Sequence, residues 1–299
     1  MKKAYIIISL FLLSLALYSQ EAENQDITNG TNNIFFSSIE NGDIKKIREL
    51  LSQGTNVNSV NEEGWSALHI AVKANNPAIV KELLSHKKID MNPVLPVDTI
   101  FIEGDSKWYA DGQTPLLLAS YYGYYDIVTI LLSYGADVLA KDTIDDAMAI
   151  HIAAARGYAN VVSAILDSSA ARNSGVDIAN IGDNTGTTPL MWAAMNNQVP
   201  VIAVLLRYKA DVNLQDDDGW TPLHFAAASD SYRAVEILLK NGADANIADI
   251  EGKKPIDVTT DTDIEALLNK YTKTADVAET TEITETADTA ETTEITEAE

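Results

Sequence analysis

Apolar residues return along this chain at long, nearly even intervals. They stand at 68, 116, 150, 190, 223 and 256, in steps of 48, 34, 40, 33 and 33 residues, and one step of 33 back from the first reaches Phe35. The same short phrase surrounds them: Gly112–Thr114–Pro115–Leu116, Gly186–Thr188–Pro189–Leu190 and Gly219–Thr221–Pro222–Leu223, with Gly64–Ser66–Ala67–Leu68 and Gly252–Lys254–Pro255–Ile256 as looser copies. A hydroxyl residue followed by proline predicts a helix start, because the hydroxyl accepts an orphan N–H and proline gives up a donor the first turn cannot use. Each helix is expected to stop at Gly42, Asn75, Gly123, Gly157, Asn197 or Asp230, residue types that tolerate left-handed backbone. These stops are spaced 33, 48, 34, 40 and 33, the rhythm of the apolar set.

A second amphipathic helix follows each stop and carries a paired apolar landmark: Leu50–Leu51, Leu83–Leu84, Leu131–Leu132, Ile165–Leu166, Leu205–Leu206 and Leu238–Leu239. Short polar stretches such as Ala210–Asn213 and Ala243–Asn246 then lead to a hairpin turn before the next helix start. Each unit is therefore turn, helix, helix, and none can bury its apolar face alone. Stacking gives the units a shared core, and stability becomes a sum of unit and interface contributions. Small residues in the first helices (Ala71, Ala119, Ala153, Ala193, Ala226) let neighbours approach closely.

A period in the low thirties headed by Thr221–Pro222–Leu223–His224 resembles the ankyrin repeat. The resemblance covers residues 32–271, about seven repeats with the first and last as caps, and implies an all-α repeat solenoid of helix-turn-helix units joined by β-hairpin-like turns. It implies that a partner lies against the concave face, made of hairpin tips and the exposed side of each first helix. Carried over position by position, the hairpin tips are Trp65, Gln113, Thr187, Trp220 and Lys253. The first helices offer Ile70, Leu118, Ile152, Trp192 and Phe225, and their ends offer Lys73, Tyr121, Tyr122, Arg156 and Met195.

Tryptophan, tyrosine and arginine are the commonest interface hot spots. Trp65 and Trp220, on turn tips, are expected to be exposed and to touch a partner. Ile70, Leu118, Ile152 and Phe225 are expected to pack between repeats. Tyr121, Tyr122 and Trp192 fit either role. The third unit arrives about fifteen residues late, so residues 93–110 must bulge from a hairpin, with Trp108 and Tyr109 near the apolar stretch 100–102. Such insertions map to loops on one face, so a binding finger is expected, with a flap folded over Leu117 or Tyr125 as the alternative. A smaller insertion near Ser168 to Gly175 suggests no role. The candidate partner-binding set is Trp65, Trp108, Tyr109, Tyr121, Tyr122, Arg156, Trp192 and Trp220. In the fourth unit Asp146, Met148 and Ala149 replace glycine, threonine and proline, which predicts a weakly capped helix and the softest point of the array.

Residues 1–20 stand apart. Lys2 and Lys3 precede an apolar run from Ala4 to Leu17, too short for a membrane span and suited to a secretory signal cut after Ser19 or Gln20. The alternative is an uncleaved membrane anchor. The short basic start looks bacterial, and it places the mature chain in a periplasm or outside the cell. Residues 21–31 read as a linker. Residues 272–299 hold the near-copies Thr274–Glu285 and Thr286–Glu297, rich in acids and poor in apolar residues, and read as a disordered tail.

The chain has no cysteine and a net charge of −23. The core must therefore hold by packing alone, and phosphate backbones and anionic membranes are repelled while a basic protein is steered in. His69, His151 and His224 share one repeat position, where the family's histidine bonds across neighbouring hairpins. No histidine pair, HExxH run or glycine-rich phosphate loop is present, and Asp216–Asp217–Asp218–Gly219 lacks the ligand spacing of a calcium loop. The reading is a monomeric, exported, non-enzymatic scaffold that binds another protein, with no cofactor, metal or nucleic acid and no membrane insertion after cleavage. A peptide or small-ligand trap, or a non-catalytic regulatory subunit of an envelope enzyme, is the alternative.

Overall fold

A computed structural model describes residues 30–272 except 104 and 105, and the side chains of 101–109 also lie outside the described set. The signal, most of the linker and, of the acidic tail expected at residues 272–299, all but Thr272 fall outside it too. The chain forms two compact units, one reaching Ala119 and including Asp126–Asp137, the other Ser120–Tyr125 with Val138 onward.

The first unit begins with α1 over residues 30–40, two residues before the expected repeat start. Then come α2 (Ile44–Ser52), α3 (Ala67–Lys73) and α4 (Pro77–Leu84). The insertion carries strands β1 (Ile100–Glu103) and β2 (Ser106–Tyr109), paired antiparallel with Ile100 opposite Tyr109. Helices α5 (Pro115–Tyr122) and α6 (Tyr125–Tyr134) follow, most of each lying in this unit. The second unit contains α7 (Ala149–Arg156), α8 (Ala159–Asp167), α9 (Ser169–Asn173), α10 (Pro189–Met195), α11 (Val199–Arg207), α12 (Pro222–Ala228), α13 (Tyr232–Lys240), α14 (Pro255–Val258) and α15 over residues 262–272. Within it α7, α10, α12 and α14 pack in succession, and α8, α11 and α13 form a second row. This is the all-α ankyrin architecture that the periodicity and the resemblance imply.

The helices begin and end where the side chains dictate. Ser66, Thr188 and Thr221 accept the N–H three residues on, at 3.3, 3.4 and 3.4 Å. All six predicted stops, Gly42, Asn75, Gly123, Gly157, Asn197 and Asp230, have positive φ. The core is the apolar set that set the rhythm: Leu68, Ile79, Leu83 and Leu116 in the first unit, and Ile150, Leu190, Leu205, Leu223 and Leu238 in the second, are buried. Burying such a side chain contributes about 1.5–3 kcal/mol. The small insertion at 168–175, for which no role is expected, forms α9, capped by the Ser168 hydroxyl accepting from Ala171 at 3.0 Å.

Two polar ladders tie consecutive repeats. The first is the repeat histidine. His69, His151 and His224 Nε2 lie 3.0, 3.0 and 3.1 Å from the carbonyl oxygens of Gln113, Ile181 and Lys253 on the following hairpins. A carbonyl only accepts, so Nε2 carries the proton and Nδ1 is left to accept. It does so from the N–H of Met148 at 3.2 Å and of Thr221 at 3.1 Å. The second ladder is asparagine. Asn58, Asn92, Asn180 and Asn213 accept the N–H of Asp90, Asp137, Asp211 and Asp244 in the next repeat, at 2.7–2.9 Å. At the matching place in the fourth repeat stands Leu139, whose aliphatic side chain has no amide to offer.

Candidate functional site

Four of the hairpins are each held by one residue at the opening. Asn61, Asp183, Asp216 and Asp249 accept, through one side-chain oxygen, the N–H four residues on (Trp65, Thr187, Trp220 and Lys253) at 2.7–3.0 Å. The Asp216 carboxylate is thus engaged by its own turn, as an ordinary hairpin requires. In the second unit two of these aspartates also fix a tryptophan. Trp192 Nε1 donates to Asp183 Oδ2 at 2.9 Å and Trp220 Nε1 to Asp249 Oδ2 at 3.2 Å. Trp220 also meets the Phe225 ring edge-on at 5.1 Å. Both indoles are half-buried, with their polar edges turned to the hairpin. Burial opposes ionisation of Asp183, but hydrogen bonds from Thr185, Trp192 and Thr187 outweigh it and hold its carboxyl below the usual range. Asp216 has no indole donor and is flanked by Asp217 and Asp218; burial, aided by those charges, pushes it up.

A second aromatic group closes the start of this unit. The Arg156 guanidinium lies over the Tyr121 ring, 4.0 Å from its centre. Tyr121 meets Tyr122 edge-on at 5.3 Å, and Tyr122 stacks on Tyr124 at 5.2 Å. A β-carbon at Gly123 would come within 2.7 Å of three atoms of the Tyr158 ring, so glycine here both ends α5 and admits that ring. Three of the predicted residues therefore form one cluster. Tyr124 was missed, because it lies beyond the helix stop where the repeat pattern marks no contact position.

In the first unit the expectation for Trp65 is corrected: it is only 6% exposed. The cause is non-local. A β-carbon on Gly64 would sit 2.5 Å from Pro96 Cγ, so the insertion rests on this hairpin tip. The indole also stands edge-on to His69 at 6.3 Å, with Lys73 Nζ 4.5 Å from its ring centre. Ile70 and Leu118 are buried and Ile152 and Phe225 half-buried, in keeping with packing between repeats. At the base of the insertion Leu95 is buried and its backbone pairs with Gln113 and Gly112 at 3.0 and 3.2 Å. The insertion thus leaves on two paired arms and ends in the β1–β2 ribbon. The side chains of Trp108 and Tyr109 lie outside the described residues. Of the two residues that the flap alternative names, Leu117 is fully buried and Tyr125 is 44% exposed.

The family described as "Ankyrin repeats (3 copies)" matches residues 9–94, 35–142 and 150–249. Among curated proteins, a putative E3 ubiquitin-protein ligase of Arabidopsis thaliana is 34% identical over 182 residues, 57% of this chain and 36% of the ligase. A B-cell lymphoma 3 protein homolog of Mus musculus is 29% identical over 185 residues, 52% of this chain and 39% of that protein. The chain therefore spans well under half of these relatives. Among solved structures, the ankyrin repeat domain of Bcl-3 superposes with a TM-score of 0.65 at 22% identity, covering 79% of this chain and 97% of that one. The human ASB11 ankyrin repeat domain gives 0.62 at 26% identity, covering 79% and 96%.

Proposed function

The chain belongs to the ankyrin-repeat family, and on that ground we propose that it is a non-enzymatic scaffold holding a partner protein against its hairpin tips and first helices. Ankyrin repeats are protein–protein interaction scaffolds. The observations that carry the reading to particular residues are the fixing of Trp192 and Trp220 by hairpin aspartates and the Tyr121–Tyr122–Tyr124–Arg156 cluster. Half-buried aromatic rings already locked in place lose little entropy when a partner covers them, which is what an anchor requires. Periplasmic or extracellular location is part of the proposal and rests on the basic start and apolar run of residues 1–20.

Capture of the partner from the cells that make this protein tests the reading. Tyr122→Ala with Trp192→Ala is expected to weaken capture by more than about tenfold while the far-UV spectrum stays that of a helical repeat. Undiminished capture by a folded double variant contradicts it. Terminal sequencing of the chain from fractionated cells tests export: the account expects a start near residue 20 or 21, and an intact Met1 in the cytoplasm refutes that part alone.

A further inference from the structure

On the first unit, Trp65, Ile70, Lys73, Glu40 and Glu63 line a recess of about 240 Å³. Its floor is apolar, since Trp65 and Ile70 are both buried. Its rim is charged and exposed: Glu40 ends α1, Glu63 sits on the hairpin tip and Lys73 ends α3. The recess is occupied in part by the chain's own cation, because Lys73 Nζ lies over the indole at 4.5 Å. The Trp65 ring face therefore stands where a positive charge is held, and two carboxylates border it against one ammonium.

We propose that this recess seats an arginine side chain of the partner protein, whose guanidinium takes the place of the Lys73 ammonium over the indole and pairs with Glu63 or Glu40. The inference rests on the partner-protein reading above. Four features favour this occupant. A planar guanidinium stacks on an aromatic face and takes a carboxylate with two parallel bonds, which an ammonium cannot do. The apolar part of the side chain finds Ile70. An acidic side chain would meet two like charges in a chain already at −23. An apolar side chain would cover the two carboxylates without offering them a donor. Lys73 is exposed and carried on a long flexible stem, so an arginine competes with it for the ring face.

The test uses the full chain and two peptides, one with a central arginine between alanines and one with citrulline in its place. Binding is followed by NMR at the Trp65 indole N–H and the Ile70 methyl groups. The arginine peptide is expected to shift both signals saturably, and citrulline to bind at least about fivefold more weakly. Glu40→Gln with Glu63→Gln is expected to weaken the arginine peptide by about fivefold. Lys73→Ala is expected to tighten it by about threefold, because the internal competitor is gone. A merely structural Lys73 would not give that increase. No shift at Trp65 and Ile70, equal binding of citrulline, or weaker binding by Lys73→Ala overturns the assignment. Partner capture that still depends on Tyr122 and Trp192 would then leave the scaffold reading standing and remove only this site.

Discussion

His69 donates from Nε2 to the carbonyl oxygen of Gln113 at 3.0 Å, across 44 residues of sequence and from one repeat to the next. Burial pushes the His69 imidazole down to about 4, and the same cause puts His151 at about 4. A histidine depressed in the fold and near 6.5 when unfolded binds its proton more readily in the unfolded chain. Stability from these two residues is therefore complete above about pH 6.5, is lost as pH falls towards 4, and levels off below that. Each contributes at most about 3 kcal/mol over the window. Urea midpoints at pH 7.5, 5.5 and 4.5 are expected to fall steadily. His151→Gln is expected to flatten the dependence, and an unchanged slope in that variant contradicts the assignment.

Trp65 and Trp220 hold the same repeat position but different surroundings. Trp65→Ala is expected to destabilise the protein by about 3–5 kcal/mol, as removal of a buried ring does. Trp220→Ala, which empties a half-exposed place and releases one bond to Asp249, is expected to cost about 1–2 kcal/mol. Equal costs in chemical denaturation would mean that the Pro96 contact does not shield the Trp65 tip.

Leu238 is fully buried on α13. Its replacement by alanine is expected to cost about 2–5 kcal/mol, read from the denaturation midpoint. A cost under about 1 kcal/mol would show that the two helical rows of the second unit do not share a tight core.

The fourth repeat is the predicted weak point, and the structure supplies its chemistry. Asp146 takes positive φ (55°) where other hairpins have glycine, Met148 has no side-chain cap, and Leu139 interrupts the asparagine ladder. The His151 Nδ1 bond to the Met148 N–H offsets part of this. Amides of residues 143–160 are expected to exchange faster than those of 216–230, and Leu139→Asn is expected to slow them. Equal protection of the two segments contradicts the prediction.

Helix starts and stops were legible in the sequence because they depend on single local residues: Thr188 and Thr221 as caps, and Gly42 or Asp230 at a left-handed stop. The histidine ladder was legible through its fixed repeat position. Burial of Trp65 was not, because it depends on Pro96 of an insertion that no other repeat shares. Nor did the pattern show that Asp183 and Asp249 fix tryptophans, since an aspartate opening a hairpin already has its own turn to bond. The ring of Tyr124 escaped for a related reason, as it joins the site only after Gly123 reverses the chain.

On the proposed function a partner protein covers the hairpin tips and first helices. A photoreactive phenylalanine analogue placed singly at Tyr122, at Trp192, and at Tyr232 on α13 as the comparison position tests it directly in cells that make the protein. One and the same protein is expected to become cross-linked from 122 and from 192 and not from 232. Adducts from 232 alone, or none from 122 and 192 while the partner is still captured, would contradict it.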